Sequence, residues 1–138
     1  MRAFKLVVVA LPLVLAVSAC ESVLDTIPTT PDPVAVTETF SGIVNINGAA
    51  THTFFTTATG EVTATLTSLG DTPPAQIGIS LGTYAGTTCS LVLTNDKAVV
   101  TSVVSGVVTT LGGSLCVRIY DVGSLTASVP YEIRVDHK

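Results

Sequence analysis

The chain has 138 residues, 47% of them hydrophobic and 12% charged, with a formal net charge of −4. That length suits one domain core rather than two. With 6 basic residues against 10 acidic ones, the composition excludes the cationic surface that binding a phosphate backbone requires, so nucleic acid is not an expected partner.

The first stretch is a targeting signal. Arg2 and Lys5 form a positive start, Leu6 to Val17 an apolar middle, and Val17 to Ala19 a small-residue cleavage zone. A spanning helix needs about 20 apolar residues, and Pro12 interrupts a run that is shorter than that. Val17-Ser18-Ala19-Cys20 looks like a bacterial lipobox, in which the Cys takes a diacylglycerol and becomes the mature N-terminus. The alternative is ordinary secretory cleavage, which would leave a reactive free thiol at the first mature position. Under the lipoprotein reading, residues 1–19 are the signal peptide, Cys20 is the lipidation site, and the membrane is a partner through that lipid. Multiple acyl chains make such an anchor stable, at about 0.8 kcal/mol per buried methylene.

Processing leaves about 119 residues. Arg2 and Lys5 depart with the signal, so four basic residues face ten acidic ones and the formal charge becomes −6. Residues 20–37 follow as a lipidated Cys and a Pro/Thr-rich tether, with Pro28, Pro31 and Pro33 opposing regular structure. At about 3.1 Å per residue in polyproline II form, the tether spans on the order of 40 Å. The alternative is a tail without a spacing role. Glu21 is not the Asp associated with inner-membrane retention, which favours the outer membrane and places the domain in the periplasm or on the cell surface.

From residue 38 to residue 138, alternation replaces helical spacing. Val129, Tyr131, Ile133 and Val135 share one face of a strand, and Leu115, Val117 and Ile119 share one face of another. Ile77, Ile79 and Leu81 repeat the pattern, as do Val62, Ala64 and Leu66. Asn47-Gly48 is a strong hairpin cue, predicted to join a strand near Phe40 to Ile46 with one near Thr51 to Thr57. Further breaks are predicted at Thr59-Gly60, Gly70 to Pro74, Gly82 to Thr88, Asn95-Asp96, Gly112-Gly113 and Val122 to Ser124. About eight short strands and no helix predict an all-β fold, an antiparallel two-sheet sandwich.

Cys89 and Cys116 form an even pair in an exported chain, which predicts a disulfide. Phase complicates the pairing. Cys116 points away from Leu115 and Val117, whereas Cys89 falls in step with Leu91 and Leu93, so the bridge requires a bulge or a position before the regular strand. Metal binding by two thiols with neither a C-x-x-C spacing nor a nearby His is the poorer alternative.

Phe40-Ser41-Gly42, Thr53-Phe54-Phe55, Gly60 to Leu66, Gly113 to Tyr120 and Tyr131 to Val135 together resemble the bacterial pre-peptidase C-terminal domain, a small jelly-roll-like sandwich. The resemblance implies a module that serves secretion or binds a substrate or surface. No peptidase is expected ahead of it here. Ala75-Gln76-Ile77-Gly78-Ile79 occupies a region where that family often has acidic residues, which speaks against a calcium site there.

Other candidates for chemistry are sparse. His52 and His137 lack a Gly-x-Ser-x-Gly elbow or any triad context. Asp71, Asn95-Asp96 and Asp121 sit at predicted turns without the clustering that calcium's about six to eight oxygens demand. No catalytic residue, metal site or cofactor is expected. The candidate ligand contacts are Tyr84 in a loop, Arg118, and Tyr120 pointing outward beside it. The predicted function is a non-enzymatic envelope lipoprotein whose sandwich binds an unidentified envelope protein or polysaccharide. The alternative is an accessory substrate-binding module working beside a separate secreted hydrolase.

Overall fold

Strand-forming residues dominate the sequence after the prolines, and the fold is all-β. A computed structural model of the chain describes residues 30–74 and 76–138. The predicted signal, Cys20 and the first part of the tether lie outside the described residues. Asp32–Lys138 forms one unit. It contains β1 (Val36–Val44), β2 (Ala49–Thr56), β3 (Gly60–Ser68), β4 (Ile77–Ala85), β5 (Thr88–Ala98), β6 (Val103–Val108), β7 (Gly113–Tyr120) and β8 (Val129–His137). β1 takes in Val36 and Thr37, the last two residues of the stretch read as tether.

Two antiparallel four-stranded sheets pack face to face, in the orders β1-β8-β3-β6 and β2-β7-β4-β5. Every connection except β4 to β5 switches sheets, which is the connectivity of a jelly roll. The two most regularly alternating segments become inner strands. Along β8, Tyr131, Ile133 and Val135 are buried between the sheets while Pro130, Glu132 and Arg134 face solvent. Along β7, Val117 and Ile119 point inward against Ile77, Ile79 and Leu81 of β4. Burying each such side chain contributes roughly 1.5–3 kcal/mol, so a one-residue slip of either strand would forfeit its whole inner face.

Asn47-Gly48 makes a tight turn but not a paired hairpin. Gly48 N–H donates to the Asn45 carbonyl at 2.9 Å, and Asn47 adopts φ 54°. The chain then crosses the sandwich, because β1 bonds to β8 and β2 to β7. Packing decides against pairing here: Phe40 of β1 stacks on His52 of β2 with ring centroids 4.9 Å apart, across the interior rather than side by side in one layer. Among the described residues the one hairpin is β4–β5, where Ala85 pairs with Thr88 around Gly86-Thr87. Gly86, at φ 63°, supplies the positive φ that a two-residue turn needs at its first central position.

Asn95-Asp96 is not a break between strands; it lies inside β5. Between Ile77↔Ala98 and Ile79↔Asn95 the register gains one residue on β5, and Asn95 Oδ1 accepts the Lys97 N–H at 3.0 Å. The Asx bond expected of a turn is present, used to shape a bulge.

Candidate functional site

β5 carries a second bulge, and it resolves the phase of the cysteines. Leu81 pairs with Leu93, yet Gly82 pairs with Leu91, leaving Val92 as the extra residue. Leu93 therefore stays against the core while Leu91 and Cys89 turn to the outer face. Cys116 is on that face too, opposite Gly82. The two cysteines form a disulfide, with Cα atoms 5.9 Å apart, that links β5 to β7 across β4. A Cβ at Gly82 would run into the Ser90 carbonyl, so glycine is what lets β5 close in.

Small residues on the outward positions of β4, namely Gly78, Ser80 and Gly82, leave a trough that β7 fills from the side. The Tyr120 ring lies over Gly78, where a Cβ would overlap it. Arg118 stands opposite Ser80, and the disulfide crosses at Gly82. For this reason β4 is buried on both faces from Ile77 to Gly82.

Beside the disulfide the outer face opens into a hollow of about 400 Å³ lined by Thr51, Thr53, Tyr84, Thr87, Thr88, Cys89 and Arg118. β2 supplies Thr51 and Thr53, which pair with Arg118 and Cys116. Tyr84, expected in a loop, is on β4 opposite Cys89. Arg118 is half-buried, and its Nε is buried without a hydrogen-bond partner. Among the described residues no carboxylate forms an ion pair with it. Its guanidinium carbon lies 5.9 Å from the centre of the Tyr120 ring, a distance at which cation–π attraction braces it. Tyr120 in turn donates its hydroxyl to Asp96. Burial, then the bond to Asp96 and that residue's charge, push the Tyr120 hydroxyl up to about 12, with Arg118 pulling the other way. Tyr120 is thus a support for Arg118 and not part of the hollow's wall.

Comparison with family models and with curated proteins gives no match. The site must therefore be read from its own chemistry.

Of the residues singled out from the sequence, Arg118, Tyr84 and Cys89 meet at the hollow, Cys116 lies behind it, and Tyr120 stands at its side. The threonines were missed; their signal was the outward phase of Thr51 and Thr53 on β2. Both histidines face the interior. His52 Nε2 is 2.7 Å from the Tyr131 hydroxyl, and burial lowers the His52 pKa and raises that of Tyr131. His137 Nε2 is 2.9 Å from Glu38 Oε1, with its ring against Phe54. Asp121 accepts the N–H groups of Asn47, Gly123, Ser124 and Leu125 at 2.8 to 3.1 Å. Among the described residues no group of three or more His, Cys, Asp or Glu is placed to hold a metal.

A second cavity, of about 470 Å³, opens between the sheets beside Val62, Leu81, Leu93, Val107, Val108 and Leu115. Its lining carries no charge. The cleft's lining also includes the hydroxyl residues Thr83, Ser105, Thr109, Thr110 and Ser114; what the hollow at Arg118 adds is a cation among its hydroxyls, a group that can fix a ligand's orientation.

Proposed function

We propose that this protein is a cell-envelope lipoprotein, moored through lipid on Cys20 and displaying a non-catalytic sandwich that binds an envelope or extracellular partner. The observation that carries the binding reading is Arg118: a cation with a buried, unpartnered Nε at a hydroxyl-lined hollow. Neither histidine lines that hollow, so it has polar recognition groups but no general base of the kind His supplies. The pre-peptidase C-terminal resemblance remains the family proposal within this reading. The hydroxyl lining favours the second version of the function, an accessory module that holds polysaccharide for a separate hydrolase.

Two measurements test the proposal. Intact mass of the mature protein from membranes is expected to show acyl additions on Cys20, and Cys20→Ser is expected to release the chain from the membrane fraction. An unacylated mature Cys20 refutes the anchor. Partner capture from solubilised envelopes is expected to be lost in Thr53→Tyr, which fills the hollow from an exposed position; capture that survives refutes the site.

A further inference from the structure

Charge is divided unevenly between the two sheets. The strands β2, β7, β4 and β5 carry Asp96 against Lys97 and Arg118. The strands β1, β8, β3 and β6 carry Glu38, Glu61, Glu132 and Asp136 against Arg134. With histidines neutral, the first set has a formal charge of +1 and the second −3. An anionic polymer is repelled by one face and admitted by the other. On the admitted face, Asp96 is the only carboxylate among the strand residues, and it is engaged by the Tyr120 hydroxyl.

We infer that the hollow is a subsite for a carboxylate-bearing sugar, a uronate unit of an acidic polysaccharide. This rests on the binding reading above and names its ligand. A guanidinium presents a planar fork of donors that matches a planar carboxylate, and that of Arg118 is braced by the Tyr120 ring 5.9 Å away. One arginine without a lysine cluster suits a single carboxylate better than a phosphate. Around it, the hydroxyls of Thr51, Thr53, Thr87 and Thr88 can each donate and accept, as ring hydroxyls require. Tyr84 adds an apolar face with a polar tip for a sugar ring. The hollow's volume is within the range of about 300–1,000 Å³ that small-ligand sites occupy. A peptide would want apolar side-chain pockets, and the wall around Arg118 offers hydroxyls instead.

The test measures binding of a trigalacturonate, its methyl ester and an acidic peptide of equal charge to the mature lipoprotein in detergent. Trigalacturonate is expected to bind best, and Arg118→Gln to weaken it by about 10- to 100-fold. Arg118→Lys should recover part of that loss, and circular dichroism checks that each variant is folded. The methyl ester should bind the wild type no better than the acid binds Arg118→Gln. Equal binding of acid and ester, or preference for the peptide, overturns the uronate assignment. If the ester's binding is still lost in Thr53→Tyr, the hollow survives as a site for a neutral sugar. Absence of binding by all three probes overturns the uronate assignment, while loss of envelope capture in Thr53→Tyr would keep the broader reading standing.

Discussion

Asp121 shows what a single side chain can do in this fold and how little of it is local. Its position after β7 and before Gly123 marks it as a turn former, and three of its bonds, to Gly123, Ser124 and Leu125, are the short-range ones that such a turn implies. The fourth joins it to Asn47, 74 residues away, and Asp121 N–H returns a bond to the Gly48 carbonyl at 2.9 Å. Two sheet-switching turns are thereby tied together, a tertiary fact that spacing does not encode. The backbone bond from Asn47 is the largest cause holding this carboxyl below its ordinary 3.8; desolvation, the next largest, opposes it, and the bonds from Leu125, Gly123 and Ser124 add to the lowering. A carboxyl depressed in the folded state stabilises the fold above its unfolded pKa and loses that contribution as pH falls through the folded one. Asp136 is depressed as well, chiefly by the Thr37 hydroxyl and then by Arg134, so the native protein is expected to lose stability below about pH 4. Asp121→Asn is expected to melt lower than the wild type near about pH 7, and the gap is expected to shrink as the pH falls through the carboxyl's lowered folded-state pKa. Thermal melts across that range check this, and a pH-independent gap would show that the carboxylate charge is irrelevant.

β5 explains which strands were legible and which were not. β8 reads clearly because it has neighbours on both sides and one buried face, so residue type alternates with burial, and β7 reads clearly because Leu115, Val117 and Ile119 keep one apolar face although Cys116 is buried on the other. β6 did not, because Val103 and Val107 are on its exposed side and Val104 on its buried side. The valines on both faces erase the signal. β5 was harder still: two bulges reverse its phase twice, so Leu91 and Leu93 look alike in sequence and face opposite ways. Asn95-Asp96 carried turn chemistry correctly and topology wrongly for the same reason. The bulge at Val92 depends on Gly82 and is fastened by the disulfide, which closes a separation of 27 residues. In the chain-entropy account such a loop contributes about 3.5 kcal/mol. Replacing both Cys89 and Cys116 by Ser is therefore expected to lower the unfolding free energy by about 3.5 kcal/mol in urea titrations. Gly82→Ala forces β5 away from β4 and is expected to cost about 3 kcal/mol even with the cysteines present. A Gly82→Ala variant of unchanged stability would mean that β5 does not close over β4 as described.

The sandwich as an assembled body has a definite polarity. At one end Val36 pairs with His137, Thr56 pairs with Gly113, and Thr57 N–H donates to the Lys138 carbonyl at 3.0 Å. Lys138 also reaches Asp32 at 3.4 Å. The Ala85 to Thr88 turn belongs to this same end, since Thr83 pairs with Leu115 two residues from Gly113. The hollow at Arg118 thus opens near the end by which the preceding chain joins the sandwich. Under the proposed anchor, the tether joins the domain at that end, so its length sets how close to the bilayer a long polymer must come to reach the site. Spacer length then governs access without touching affinity. Deleting residues 22–31 from the lipidated protein is expected to leave trigalacturonate binding in detergent unchanged. Capture of a long polyuronate by the same protein in liposomes should fall about tenfold or more, because excluded volume acts on the polymer and not on the trimer. Restoring the length with an unrelated Pro/Thr segment should restore capture. Equal loss in detergent and in liposomes would instead mean that the deleted residues contribute to the site itself, and no loss in either would leave the prolines without a spacing role.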